Sequence, residues 1–461
     1  MCGVFGIRAP ERDVARIAYF GLFALQHRGQ ESAGIAVSDL GRLTVLRDMG
    51  LVTQVFDEQS LSGLQGELAI GHTRYSTTGS TRWANAQPLV QHGRARTIAL
   101  GHNGNLVNAG ELRDELRADG IRLSSTSDTE VIGALLANDP APLPEAVANA
   151  AARLDGAFSV VALSEGKLIG FRDPRGFRPL GLGRLGHDWV LASESCALDH
   201  VGADFEREVR PGELVVIDDA GCEAIQAVPP AEHGSLCIFE FFYLARPDTR
   251  LSGVEVHAAR VRMGERLAEE APVEADLVLP IPDSGTPAAI GFSRATGIPF
   301  SEGLIKNRYV GRTFIEPDQG LREQGIKLKF NPLAEVAGKR VVVIDDSIVR
   351  GNTTRAIVAM LREAGAAEVH LRISSPPVIG PCFYGIDLAG VDELVAAART
   401  VEEVREHVGA TSLSYISLEG LQAATRRPAD ALCRACLTRE YPTRIPPGNE
   451  KLRFEPVPAQ A

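Results

Sequence analysis

The chain is 461 residues long, 44% hydrophobic and 23% charged, with a formal charge of −11. That length exceeds one ordinary core and points to two or three domains, while the composition excludes disordered and collagen-like classes. The acidic balance argues against a general nucleic-acid binder, no apolar run approaches the ~20 residues of a bilayer span, and no secretory signal opens the sequence. Seven cysteines in such a chain read as thiols or metal ligands of a cytoplasmic protein, not as disulfides.

The first residues are "MCGVFGI". Only Met1 precedes Cys2, so removal of the methionine alone would leave a thiol beside its own α-amine. An α-amine has a pKa near ~8, and its neutral form can accept the thiol proton. A helix is expected over 13–26, where Val14, Ile17, Ala18, Leu22 and Leu25 recur at helical spacing. Strands are expected in "ELAIGH", "RTIALGHNG", "AFSVVALSEGKLIGFRD" and "DWVLASES", separated by turn residues.

Three stretches in this half carry candidate chemistry. "GHNGNL" offers the Asn103 side-chain amide and the Gly104 N–H as oxyanion donors. "HTRYSTTG" offers Arg74 as a bidentate carboxylate partner, or as a plain surface cation. "SSTSDTE" offers Asp128 for an α-ammonium group, or as a helix N-cap before "TEVIGALL". The β-rich half closes near "RPGELVVIDDAG", and "AVPPAEHGS" reads as the joint to a second domain.

Beyond Cys237 the pattern changes. "ADLVLPIP" and "KRVVVIDD" are continuous apolar runs, as in strands buried on both faces of a parallel sheet, and each is followed by a helical pattern. "VVIDD" occurs twice. At 215–219 it precedes "AGCEAI" and reads as a hairpin with solvated acids. At 342–346 it precedes "SIVRGNTTRAIVAML", a loop entering a helix, which suits a phosphate at the helix N-terminus.

Neither a Walker A loop nor a dinucleotide fingerprint is present. Asp345 and Asp346 add acceptors for sugar hydroxyls and Mg²⁺, and Ser347, Arg350, Gly351, Asn352, Thr353 and Thr354 complete the loop. This loop resembles the phosphoribosyl pyrophosphate motif of type I phosphoribosyltransferases. "PIPDSGTPAAIG" places Ser284 at the same sheet edge as a further Mg²⁺ or pyrophosphate ligand. The segment 302–330 carries Lys306, Arg308, Arg312, Arg322, Lys327 and Lys329, and reads either as a solvated face or as a closing lid.

"CGVFGI", "LQHRGQESAGI", "GHTRYSTTG", "GHNGNL" and "SSTSDTEV" together resemble, in order and spacing, the class II glutamine amidotransferase domain. The fold this implies is an α+β N-terminal nucleophile hydrolase, an αββα sandwich, over 2–232. It is joined to an α/β type I phosphoribosyltransferase domain over 233–445, with a C-terminal tail over 446–461. The resemblance implies Cys2 as nucleophile, Asn103 and Gly104 as oxyanion hole, and Arg74 and Asp128 as glutamine holders, with Arg28 and Tyr75 ordering the pocket. The two-domain combination resembles the glutamine phosphoribosylpyrophosphate amidotransferase family. That family's reaction transfers the glutamine amide nitrogen to phosphoribosyl pyrophosphate, giving 5-phosphoribosylamine, glutamate and pyrophosphate at the first committed step of purine synthesis. A homotetramer inhibited by purine nucleotides, with one Mg²⁺ per subunit, is further implied.

Cys433 and Cys436 form C-x-x-C, and with Cys237 and Cys382 they suggest four thiolates around Zn²⁺ or an iron–sulfur cluster. Resemblance to the Bacillus-type branch favours one 4Fe–4S cluster per subunit. Cys196 and Cys222 read as structural. Two competing readings remain at this point: a glutaminase serving another acceptor such as a sugar phosphate, and a phosphoribosyl pyrophosphate-binding regulator with an inactive front domain.

Overall fold

The structure is a computed structural model and describes residues 2–307, 328–388, 390–448, 451 and 453–455. The first half is four layers. Its seven-stranded antiparallel sheet has the strand Gly3–Arg8 at its centre, paired with Asp188–Ala192 on one side and Leu68–Arg74 on the other. A chain end usually frays because nothing holds it. Here Phe5 is matched with Ala192 and with Gly71, so the residues after Cys2 are held from both sides.

The six-stranded sheet is built around Gly156–Ser164, flanked by Thr97–Leu106 and Lys167–Arg172. Val4, Ile70, Ala99, Val161 and Leu191 fill the layer between the two sheets. The helix expected over 13–26 spans Val14–Ala24, with the Asp13 carboxylate accepting from the Arg16 N–H at 3.0 Å as N-cap. Its Val14, Ala15, Ala18 and Leu22 pack on the outer face of the larger sheet, and Thr129–Asn138 and Leu143–Arg153 cover the smaller one. This is the αββα sandwich.

His72 lies inside the sandwich, fully buried, with its Nε2 3.1 Å from the His102 carbonyl. Burial lowers its pKa from 6.5 to about 3, and the neighbouring Arg74 adds to the shift. The unfolded chain protonates this imidazole below pH 6.5 while the native protein does not, so stability falls as pH drops from about 6.5 toward 3. The expected loss from this residue is about 2 kcal/mol between pH 7 and 5. Equilibrium denaturation at the two pH values should show His72→Gln, which keeps a donor to the carbonyl, losing less than the parent.

The second half is α/β. Leu277–Pro280, Arg340–Asp345, Glu368–Ile373 and Ser412–Tyr415 form a parallel sheet in that order. Alternate residues of Arg340–Asp345 face opposite ways: Val342 and Ile344 join the core under Val256–Glu270 and Thr286–Thr296. Val341 and Val343 join the core under Asn352–Glu363 and Val401–Val408. Double coverage explains the unbroken apolar run. The earlier copy of "VVIDD" ends Glu213–Asp218, which pairs with Gly221–Gln226 as a hairpin at the sheet edge. Its Asp218 pairs with Lys167 and its exposed Asp219 with Arg8.

The expected tail at 446–461 is in part packed. Lys451, Arg453, Phe454 and Glu455 lie against the first half of the chain, because Phe454 finds apolar and guanidinium surface there. Residues 456–461 lie outside the described residues.

Candidate functional site

Cys2 is 5% exposed and lines a small cavity that Arg74, Gly104 and Asp128 also line. Its backbone nitrogen donates to Asn103 Oδ1 at 3.4 Å, and its Sγ lies 3.7 Å from the Tyr75 carbonyl. Asn103 Nδ2 is buried without a hydrogen-bond partner. An orphaned amide donor costs free energy unless something occupies the space before it. The neighbours of Asn103 in the chain, His102 and Gly104, both line the cavity.

Arg74 is no surface cation. It is 2% exposed, and its guanidinium donates to the carbonyls of Ser80 (3.1 Å) and Thr78 (3.3 Å), with Glu31 at 3.6 Å. Asp128 caps nothing, although it precedes Thr129–Asn138: its own backbone is helical, and its Oδ2 accepts from the Leu106 N–H at 2.9 Å. Both side chains therefore belong to the cavity wall.

Arg28 is elsewhere. It is fully buried and donates to the Cys2 carbonyl (2.9 Å), to Glu194 (2.5 Å) and to Glu240 (2.8 and 3.0 Å). Arg178 meets the same Glu240 at 3.2 Å and donates to the Tyr384 carbonyl at 2.8 and 3.0 Å. Burial works against the Arg28 charge, but Glu240 and Glu194 more than offset it and hold the guanidinium ionised. Glu194 likewise stays ionised, because His27 and Arg28 outweigh its desolvation. Such pairs resist dissection, since removing one partner strands a buried charge at a cost of about 3–5 kcal/mol. Glu194 and Glu240 were not legible from sequence, because a lone Glu at a strand end or in an apolar run carries no spacing signal.

The halves meet at the cavity. Gly385, at φ +101°, lies against the strand Thr97–Leu106: a Cβ there would sit 2.9 Å from the Gly104 carbonyl carbon. Only glycine fits. Beside it Tyr384 stacks on Phe177 at 4.3 Å, and Asn105 donates to the Phe383 carbonyl at 3.0 Å.

In the second half Asp345 and Asp346 end the central strand at the C-terminal sheet edge, both nearly buried. Asp346 is contacted by the Ser284 hydroxyl from the neighbouring loop and accepts from Ser347 at 2.5 Å. Burial, and then the charge of Asp346, push the Asp345 carboxyl well above its usual range. Asp346 is also raised by burial, with Ser284 and Ser347 partly offsetting it. Gly351 begins the helix Asn352–Glu363 in a left-handed conformation, φ +80°, which frees the first-turn N–H groups around Asn352, Thr353 and Thr354 toward the same edge. Arg350 pairs with Glu393 at 2.6 Å, and Lys306 with Asp283. Arg308, Arg312, Arg322 and Lys327 lie outside the described residues.

The four remaining candidate cysteines converge. Cys237 and Cys433 are opposite each other in two short parallel strands, Leu236–Cys237 and Leu432–Cys433, and Cys436 comes next in Ala435–Thr438. Cys382 Sγ accepts from the N–H groups of Tyr384 and Ile386 at 3.4 Å each. Burial raises the Cys237 thiol to about 11, and burial together with the other three sulfurs raises Cys436 well above its usual value. Among the described residues no three His, Cys, Asp or Glu side chains come close enough to hold a single metal ion. Cys196 and Cys222 stand apart, the first buried beside Glu194.

An αββα sandwich joined to an open parallel α/β sheet is the architecture of a glutamine amidotransferase coupled to a phosphoribosyltransferase. Family models agree: the glutamine amidotransferase domain matches residues 72–200 and the phosphoribosyl transferase domain 256–374. Curated amidophosphoribosyltransferases from Mycobacterium tuberculosis and Synechococcus elongatus are each 53% identical, over 96% and 99% of this chain and 87% and 95% of theirs. The Bacillus subtilis relative is 48% identical over 96% of this chain and 94% of its own. The solved B. subtilis glutamine phosphoribosylpyrophosphate amidotransferase, complexed with ADP and GMP, superposes with a TM-score of 0.91 at 47% identity, covering 97% and 98% of the two chains. The chain belongs to the amidophosphoribosyltransferase family. It transfers the amide nitrogen of glutamine to 5-phosphoribosyl 1-pyrophosphate, giving 5-phosphoribosylamine, glutamate and pyrophosphate at the first committed step of de novo purine synthesis.

Proposed function

We propose that Cys2, freed of Met1, attacks the glutamine carboxamide with its own α-amine as base. The observation that carries this is Asn103: its Oδ1 accepts from the Cys2 nitrogen while its Nδ2 is buried and unpartnered. The thiol proton passes to the amine as the S–C bond forms. The carboxamide oxygen takes the negative charge, held by Asn103 Nδ2 and the Gly104 N–H. The amine then protonates the leaving nitrogen, ammonia departs, and water releases glutamate from the thioester. Arg74 holds the substrate α-carboxylate and Asp128 its α-ammonium group, with Tyr75 at the pocket rim. Arg28 fixes the Cys2 carbonyl and so the direction of the nucleophile. A Cys2→Ala variant assayed with glutamine and with ammonia is the test.

Ammonia crosses the interface near Gly385 and Tyr384, between domains spanning 2–232 and 233–445, and displaces pyrophosphate at C1 of the ribose. Asp345 and Asp346 bind the ribose hydroxyls. Ser347, Gly351, Asn352, Thr353 and Thr354 receive the 5-phosphate at the helix N-terminus. Lys306, Arg308 and Arg350 supply cationic charge near the pyrophosphate. The two raised carboxyls beside Ser284 fit a hard cation, so Mg²⁺ would sit at Asp345, Asp346 and Ser284 with substrate oxygens and water. Its chemistry is neutralisation of the departing pyrophosphate.

The four clustered thiols suit a 4Fe–4S cluster, the group that resemblance to the Bacillus-type branch implies for these four positions. Two N–H groups already aimed at Cys382 Sγ suit a ligated thiolate. Anaerobically purified enzyme is expected to be brown, with about four irons and four sulfides per chain, and Cys433→Ser to lose both colour and iron. A colourless, zinc-loaded protein would overturn the assignment. We further assign a cytoplasmic homotetramer inhibited by purine nucleotides. The nucleotide complex of the B. subtilis relative and the description of a second relative, TM-score 0.93, as an allosteric regulatory enzyme of purine biosynthesis support the inhibition. Among the described residues no helix is long and apolar enough to cross a membrane.

A further inference from the structure

The last described residues return to the glutaminase cavity from the far end of the chain. The Lys451 carbonyl accepts from the Gly79 N–H at 2.9 Å. Glu455 Oε1 accepts from the Ser80 N–H at 2.7 Å and from the Thr126 hydroxyl at 2.5 Å, and its side chain is only 11% exposed. Arg453 donates to the Leu106 carbonyl at 3.3 Å. The Phe454 ring lies between the guanidinium groups of Arg113 and Arg453, 4.7 and 4.5 Å from its centre.

Each contact is one bond removed from a residue of the cavity wall. Ser80, whose N–H is held by Glu455, turns its carbonyl to Arg74, and Asn85 donates to that same carbonyl at 2.9 Å. Leu106, whose carbonyl is held by Arg453, gives its N–H to Asp128. Thr126 is two residues before Asp128 and also accepts from Asn85 at 2.8 Å. The carboxylate of Glu455 thus ties the loop carrying Thr78 and Ser80 to the loop carrying Thr126 and Asp128. Lys451 extends the tie to the second half through Asp387 at 3.1 Å, two residues beyond Gly385. The side chains of Lys451, Arg453, Phe454 and Glu455 do not themselves line the cavity.

We propose that Lys451, Arg453, Phe454 and Glu455 form a clasp that positions the glutamine pocket, with Glu455 as the positioning residue acting on Arg74 through Ser80. The proposal rests on the assignment of Arg74 and Asp128 as glutamine holders. Loosening the clasp lets the Arg74 guanidinium drift from the geometry that grips a carboxylate, which weakens glutamine binding and leaves the second site untouched.

Steady-state kinetics with glutamine and, separately, with ammonia test it. Glu455→Ala is expected to raise the KM for glutamine about tenfold, with kcat changed far less. The KM for phosphoribosyl pyrophosphate and the ammonia-dependent rate should stay at the parent values, which also shows that the variant is folded. Glu455→Gln, which keeps an acceptor oxygen for Ser80 and Thr126, should recover most of the affinity, and Thr126→Val should show a smaller KM rise. A glutamine KM within twofold of the parent in Glu455→Ala would overturn the clasp, as would an equal fall in the ammonia-dependent rate. Arg74→Lys in the same assay separates the two readings. If it leaves the glutamine KM unchanged, the pocket assignment falls and the clasp with it; if it raises the KM while Glu455→Ala does not, the clasp alone falls.

Discussion

Cys2→Ala is expected to lower glutamine-dependent synthesis by at least ~10³-fold while leaving ammonia-dependent synthesis near the parent rate. The chemistry sets the size. On the proposed mechanism Cys2 supplies the nucleophile, and Asn103 and Gly104 would stabilise an oxyanion only after a bond to carbon has formed. The second site does not use the sulfur, so ammonia supplied at high pH still reaches C1. The substitution is conservative for the fold: Cys2 precedes the central strand Gly3–Arg8, whose pairing on both sides involves backbone, not the thiol. Initial rates with each nitrogen donor provide the check. Equal loss with both donors would place the thiol in the wrong half-reaction. Intact mass of the active enzyme supplies an independent check, because a retained Met1 would block the α-amine from acting as base.

Asp345→Asn is expected to divide function from stability. Activity with either nitrogen donor should fall about 10³-fold, since on the proposed assignment the substitution removes a ligand for the ribose and its cation and with it several kcal/mol of transition-state stabilisation. Stability of the substrate-free enzyme should rise. Asp345 and Asp346 are adjacent, nearly buried, and among the described residues are partnered by hydroxyl and backbone groups and the more distant Arg260. Two such charges repel, and neutralising one relieves that repulsion. Thermal melting without ligand should therefore favour the variant. Addition of Mg²⁺ and phosphoribosyl pyrophosphate should reverse the order, because only the parent carboxylates bind them. A variant less stable without ligand would show that the pair is structural.

Much of this protein is written locally. The parallel strands announce themselves as unbroken apolar runs because both of their faces are covered. The phosphate loop differs from its copy in the residues after the acidic pair: Gly351 and a hydroxyl-rich helix start come after 342–346, a short hairpin after 215–219. Cys2, Asn103, Arg74 and Asp128 could each be named because they sit in short motifs at turns and strand ends, although the alternatives of surface cation and helix cap for Arg74 and Asp128 stayed open. Burial decided the first and backbone conformation the second. The tail at 446–461 misled, because a short polar segment with one Phe carries no period, and its partners Gly79, Ser80 and Thr126 lie more than three hundred residues away.

By itself the sequence determined the two fold classes, the identity of the nucleophile candidate and the acidic loop, since these depend on residues within one strand, turn or helix. Only the tertiary structure decided what surrounds them. The central placement of the N-terminal strand, the buried Arg28–Glu240–Arg178 bridge, Gly385 against the strand Thr97–Leu106 and the Glu455 clasp are all contacts between distant segments. Local pattern records which face of an element is apolar, but not which distant charge will be desolvated against it. That choice is made when the layers close and each buried polar group must find its partner.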